Sequence, residues 1–170
     1  VSGNNYKIQN HDSRADAIPC PYFFIHEIAK FVNEKKISDL IDLGSGFGRI
    51  TNFLNDTTNA SISGFEASNE VFKISIKNKK ENVVIKHQDI LQADYNNFNF
   101  DCYILNDPLK KNSDLEKLIR KIESSKTNYN KKYYIITINI NKEKTHIFNK
   151  HNLIKNIEAS SLKSIKFYSN

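Results

Sequence analysis

Cysteine is scarce in this 170-residue chain, with only Cys20 and Cys102, far apart and in no Cys-x-x-Cys pair. A disulfide-built secreted domain and a cysteine-based zinc finger are therefore not expected. Arginine is also scarce: of 25 basic residues only Arg14, Arg49 and Arg120 are Arg. A nucleic-acid binder would more often carry an arginine-rich cluster interleaved with aromatics. No apolar run approaches the roughly 18–20 residues that cross a bilayer, and the longest, such as Tyr133–Ile136, are strand-sized. No basic stretch followed by an apolar core opens the sequence, so no signal peptide is expected and a cytoplasmic location is. His11, His26, His87, His146 and His151 are not paired at metal-ligand spacing, so no metal is expected. No Ser-His-Asp or Cys-His order with supporting context is present, no repeat period is visible, and no Gly/Ser or Pro linker divides the chain.

What is present fits a globular fold. Hydrophobic residues make up 39% and charged residues 26% of the sequence, enough to build one buried core. The net charge of +6 comes from scattered lysines, beside an excess of Asn and Ile. Codon usage in an AT-rich genome would give the same bias. A solvated lysine surface is the favoured reading, and a nucleic-acid footprint stays open beside it.

Residues 1–21 are polar and broken by Pro19 and Pro21, and read as an N-terminal arm; residues 22–170 read as a single domain. Within it, apolar spacing predicts a helix over Tyr22–Asn33 and a buried strand over Ile37–Leu43. A short helix follows over Arg49–Asn55, a strand over Ala60–Phe65, and a helix over Ser68–Lys79 with Ser68 as N-cap. Strands are expected at Val83–His87 and Phe100–Leu105, and a helix at Ser113–Ile122 capped by Ser113. Tyr133–Ile140 is strongly β-prone, and two more β-prone pieces lie around Leu153–Ile157 and Ser164–Tyr168. Alternating strands and helices with short connections predict a parallel sheet covered by helices on both faces, with ligands at the carboxyl ends of the strands.

Those strand ends carry the chemistry. After the first comes Asp42-Leu43-Gly44-Ser45-Gly46-Phe47-Gly48-Arg49, three glycines that let backbone approach a ligand and turn into a helix. A dinucleotide fingerprint wants its third glycine where Arg49 stands. Asp42 would repel a pyrophosphate and suits a ligand with an amino-bearing end, although a tight turn without a ligand has the same outline. The second strand ends at Glu66, which taken alone reads equally as a solvated loop charge and taken with the glycine loop is placed to grip a ribose diol. The third ends in Asp89-Ile90, where Asp89 suits either an adenine amino group or a helix N-cap, and Ile90 suits packing on the ring.

In this order the residues resemble the class I S-adenosylmethionine-dependent methyltransferases, over about residues 20 to 140. The resemblance implies an α/β, Rossmann-like fold, with a mostly parallel seven-stranded sheet, helices on both faces and an antiparallel last strand. It implies S-adenosyl-L-methionine as cofactor. It assigns cofactor binding to Asp42, Gly44, Ser45, Gly46, Gly48, Glu66, Ala67, Asp89, Ile90 and Asn106. The run Asn106-Asp107-Pro108-Leu109 resembles the Asn-Pro-Pro-Tyr motif of methyltransferases acting on amino groups, which assigns catalysis to Asn106 and Asp107. Here Asp107 replaces a Pro and adds a charge the usual motif lacks, Leu109 stands where a base-stacking aromatic would be, and Asn-Asp-Pro is equally plain turn chemistry after a strand. That departure favours a small molecule or a protein amino group as acceptor over a flipped nucleobase. It also keeps open a catalytically silent cofactor-binding module acting through a partner. Ile18-Pro19-Cys20-Pro21-Tyr22-Phe23 resembles the segment that folds over the cofactor in some small methyltransferases, and a plain hydrophobic staple gives the same pattern.

Overall fold

The computed structural model describes residues 19–127, 131–160 and 163–170. The expectations for residues 1–18 lie outside the described residues. The chain runs α1 (Tyr22–Lys35), β1 (Asp39–Leu43), α2 (Arg49–Thr57), β2 (Ser61–Glu66), α3 (Asn69–Asn78) and β3 (Val84–His87). It continues through β4 (Cys102–Asn106), α4 (Asn112–Thr127), β5 (Tyr134–Ile138), β6 (Asn152–Ser160) and β7 (Lys163–Ser169). Two 3-10 segments, Tyr95–Asn97 and Lys142–Phe148, stand in the β3–β4 and β5–β6 connections.

The seven strands form one sheet in the order β3-β2-β1-β4-β5-β7-β6. The first five strands pair in parallel; β7 is antiparallel to both β5 and β6, as the sequence implied. Strand alternation sorts the core into two layers. Leu40, Ile62, Ile104 and Ile136 face α1 and α2, packing on Phe24, Ile28, Ile50 and Leu54. Ile41, Tyr103 and Ile135 face the other way, onto Leu115, Leu118, Ile119 and Ile122 of α4. The chain leaves β1 toward β2 on one side and returns to β4 on the other, so the strand order reverses between β1 and β4. A crevice for ligands is expected at the carboxyl ends there.

The boundaries differ from the sequence pattern for local reasons. α1 continues to Lys35 and stops at Lys36 in the left-handed region (φ +53°). The Ile37 amide then donates to Val32 O, so Ile37 closes the helix rather than opening β1. Ser113 is not the cap of α4: the Leu115 amide donates to Lys111 O, and the helix starts one residue earlier than predicted. β5 ends at Ile138 because Asn139 is left-handed (φ +56°). Ser68 does cap α3, its hydroxyl accepting from the Val71 amide.

At the opposite end of the sheet from the glycine loop, Asp101 ties β4 to β1. Its Oδ2 accepts from the Ser38 and Asp39 amides at 3.1 and 3.2 Å, and Lys131 pairs with its other oxygen. Burial alone would push this carboxyl up; the Lys131 ammonium and the two amides outweigh it and hold it below the usual carboxylate range. Its folded pKa is depressed, so its stabilisation is present above the unfolded pKa and is lost as pH falls through the folded one. Asp101→Ala is expected to cost about 1–3 kcal/mol at neutral pH, the worth of hydrogen bonds to a buried charged acceptor. The gap between the two chains should close in strong acid, measured as denaturant midpoints across pH.

Candidate functional site

The glycine loop leaves β1 at the reversal point. Gly44, Gly46 and Gly48 all have positive φ (+87°, +54° and +81°), a region side-chain-bearing residues rarely enter. The Gly44 and Ser45 amides both donate to Phe65 O at 2.9 Å, fastening the loop to the end of β2. Gly48 is the N-cap residue of α2. Two glycines are also required by space. A Cβ on Gly44 would lie 3.1 Å from Pro108 Cβ, and one on Gly64 would lie 2.8 Å from both Ser45 Cβ and Ile85 Cδ1. The loop therefore lies between β2 and the turn that follows β4.

Two carboxylates sit beneath it. Glu66, at the end of β2 and 9% exposed, accepts from the Gly46 amide at 2.9 Å and the Ser68 amide at 2.7 Å. Asp42 is 1% exposed and leaves β1 on the side where Leu40 packs. Its Oδ1 and the neighbouring Ser45 Oγ are buried without a hydrogen-bond partner. Burial, then the Glu66 charge, pushes the Asp42 carboxyl up to about 7. A buried, unsatisfied carboxylate is costly, and native folds keep such groups mainly where a ligand completes them.

The β3 end joins this cluster through the Gln88 amide, which donates to Glu66 O at 2.9 Å. Asp89 Oδ1 accepts from the Leu91 amide at 2.8 Å, so its side chain caps the next turn, one of its two readings. Ile90 is buried in the α4-side core. The carbonyl of Ala67 is held by His87 Nε2 at 3.1 Å, and the His87 ring stacks on Phe72. On the other side of the loop, Arg49 donates to Cys20 O at 3.3 Å and lies over the Tyr22 ring at 5.2 Å. The segment before α1 is thus tied to the start of α2, beside the loop. Burial, then the Asp42 charge, pushes the Cys20 thiol up to about 12, so it is not a nucleophile.

The turn after β4 is built from Asn106, Asp107, Pro108 and Leu109. Asn106 ends the strand, in register with Ile138 of β5. Asp107 is left-handed (φ +37°), uncommon for a residue other than glycine. Leu109 is buried in the core, so this turn presents no side chain there for stacking. Sequence reasoning missed the partner of Asp107: Lys144, 6% exposed, donates to Asp107 Oδ1 at 2.8 Å and to Leu109 O at 2.9 Å. The carboxylate that the sequence offered as an extra site charge is thus an ion pair. A lysine in a lysine-rich sequence gave no signal of it. Among the described residues no cluster of His, Cys, Asp or Glu is arranged to hold a metal, and no helix is long and apolar enough to cross a membrane.

The family model described as a methyltransferase domain matches residues 34–166. Among solved structures, an RNA methyltransferase from Salinibacter ruber bound to S-adenosyl-L-homocysteine is 18% identical, with a TM-score of 0.64 over 89% of this chain and 93% of its own. The N-methyltransferase NodS from Bradyrhizobium japonicum, also with S-adenosylhomocysteine, is 10% identical, with a TM-score of 0.65 over 85% of each chain. Magnesium protoporphyrin IX methyltransferase from Synechocystis with bound S-adenosylmethionine is 11% identical, with a TM-score of 0.65 over 86% of this chain and 77% of its own. No curated protein matches the chain in sequence.

The raised Asp42 pKa has a consequence for stability. The folded chain prefers this carboxyl protonated, so the carboxyl leaves the fold unpenalised below its unfolded pKa and penalises it progressively as pH rises toward and beyond 7. At high pH the penalty is ~3–6 kcal/mol, from about three pK units of displacement. Asp42→Asn, isosteric and neutral, is expected to raise the melting temperature at pH 8.5 and to raise it by less than half as much at pH 5. Differential scanning calorimetry at the two pH values checks it, and an equal effect at both would refute a buried charge at this position.

Proposed function

Because the chain belongs to the methyltransferase-domain family, we propose that it transfers a methyl group from S-adenosyl-L-methionine to an amine nitrogen of a small molecule or a protein. The observation that carries the reading is the close approach of Gly44 to Pro108, where an added Cβ would lie 3.1 Å from Pro108 Cβ, which brings the glycine loop to the turn at the end of β4. The site fits the cofactor. Asp42 Oδ1 and Ser45 Oγ lack partners and suit the amino-bearing end of the methionine part. Glu66, already accepting from two amides, sits where a ribose would be gripped. The Asp89–Ile90 turn is the candidate adenine end, with Ala67 beside Glu66. Bound there, the cofactor supplies a methyl on a positively charged sulfur, which the acceptor lone pair takes while the sulfur keeps the bonding pair.

The chain's own task is alignment, because an activated methyl needs in-line approach more than acid–base help. Asn106 offers an amide that fixes the hydrogens of an amine so that its lone pair faces the methyl. The amine must lose a proton in the transfer, and Asp107, in the same turn and 35% exposed on its side chain, is the carboxylate proposed to receive it. The same carboxylate is paired with Lys144 at 2.8 Å. The buried Leu109 leaves no flat surface for a nucleobase, which supports a small-molecule or protein amine over nucleic acid.

Calorimetry against S-adenosylhomocysteine, S-adenosylmethionine and NAD tests the cofactor assignment. Micromolar binding of the first two is expected, with Glu66→Ala weakening it by about 1.5–3 kcal/mol, the worth of hydrogen bonds to a charged group. Tighter binding of NAD, or native affinity in Glu66→Ala, would overturn it.

Transfer of a labelled methyl to small-molecule, protein and RNA fractions of a lysate tests the acceptor. Asn106→Ala and Asp107→Ala are each expected to lower transfer by ~10²-fold while cofactor affinity changes far less. Label in RNA with steep salt dependence would point to the nucleic-acid reading, and binding without transfer to a silent module.

A further inference from the structure

The turn after β4 is clamped from a distant part of the chain. Lys144 belongs to the 3-10 segment Lys142–Phe148, 37 residues after Asp107. That segment is fixed by three independent contacts. Asn141 caps it, its side-chain oxygen accepting from the Glu143 amide at 3.0 Å. Phe148 is buried and stacks on Tyr168 of β7 at 5.1 Å between ring centroids. His146 Nε2 lies 3.5 Å from Glu116 Oε1 on α4. The buried Phe148 ring thus anchors the segment that carries Lys144.

Its two bonds then grip the turn on both sides of Pro108. One goes to the side chain of Asp107, the residue in the left-handed region, and the other to the main-chain oxygen of Leu109. A left-handed aspartate is unfavourable by itself and persists only where its surroundings over-determine it. Lys144 supplies that constraint, and as a nearly buried ammonium it has strong reason to keep both acceptors.

We infer that Lys144 is a positioning residue for methyl transfer: it holds Asp107 left-handed and so aims Asn106 at the acceptor. Its bonds go to Asp107 and to Leu109 O, so it acts through the turn. The proposal rests on the reading that this turn receives the acceptor.

The test uses the whole chain with Lys144→Met, which keeps the stem and removes the charge and donors. S-adenosylhomocysteine affinity is expected to stay within about threefold. Amide exchange in the peptide spanning residues 106–111 should accelerate at least tenfold, because the clamp no longer opposes opening. Transfer to the lysate fraction that the unaltered chain labels should fall at least tenfold, and Lys144→Arg should recover part of both effects. Where Lys144→Met does not fold, Lys144→Gln, which keeps donors without charge, carries the same comparison.

Native exchange in the variant would overturn the clamp, and this readout needs no acceptor. Faster exchange with native transfer would overturn the positioning role. If Asn106→Ala nevertheless loses transfer, only the role of Lys144 fails; if Asn106→Ala is also native, the acceptor turn itself is wrongly placed. An equal loss of cofactor affinity and transfer would make Lys144 a general support of the fold and overturn the proposal as well.

Discussion

The loop Gly44–Gly48 is held from two sides at once, and the geometry of the site follows from that confinement. On one side it lies against β2, where only hydrogen on Gly64 leaves room for Ser45. On the other it lies against Pro108, where a Cβ on Gly44 would crowd the turn after β4 at 3.1 Å. Both amides at its start converge on a single carbonyl, Phe65 O. A side chain at either glycine would separate two strand ends that hydrogen bonding in the sheet keeps at a fixed spacing. Backbone rigidity and glycine identity here are one constraint, since close packing transmits any displacement to both neighbours.

That confinement also explains the electrostatics. Strand pairing places Asp42 beside Gly64 and leaves Glu66 two residues on, so two carboxylates share one dry corner. They divide the available donors unequally. Glu66 receives two amides, Gly46 from the loop and Ser68 from the start of α3. Asp42 receives none at Oδ1 and is driven toward its neutral form. A ligand bearing a positive or amino end relieves the second carboxylate, and one bearing a diol competes for the first. On the proposed reading, the two acids would tell apart the ends of an extended ligand, by which acid is already satisfied and which is not.

Much of this was legible in the sequence. Each strand and helix lay within a few residues of its expected place, because alternation and helical spacing directly reflect a sheet with two covered faces. The glycine spacing, Asp42, Glu66 and the turn at Asn106–Pro108 were all visible as residues at strand ends. Helix and strand limits were less so. Lys36 and Asn139 adopt the left-handed conformation without being glycine, so nothing in residue type announces where α1 and β5 stop. The 3-10 segments were missed because runs of three and seven residues are too short to show a period. Ser113 looked like a cap because serine usually is one, yet the first helical bond goes to Lys111 O.

The charge state of the turn after β4 was illegible for a deeper reason. Read along the chain, Asn106-Asp107-Pro108-Leu109 presents an exposed-looking acid and a leucine in place of an aromatic. Folded, the leucine belongs to the core and the acid belongs to a pair whose other member is contributed by the β5–β6 connection. A local motif records which atoms stand at a position, whereas polarity depends on what the fold brings against them. Lys144 is one of 22 lysines, and only burial separates it from those on the surface. The burial itself requires compensation, because an ammonium out of water needs acceptors on more than one side. Asp107 alone would leave donor hydrogens unsatisfied, and Leu109 O supplies the second acceptor. The left-handed backbone at Asp107, the buried Leu109 and the buried lysine are therefore a single solution: each is unfavourable or unremarkable alone, and together they fix the shape of the turn facing the glycine loop.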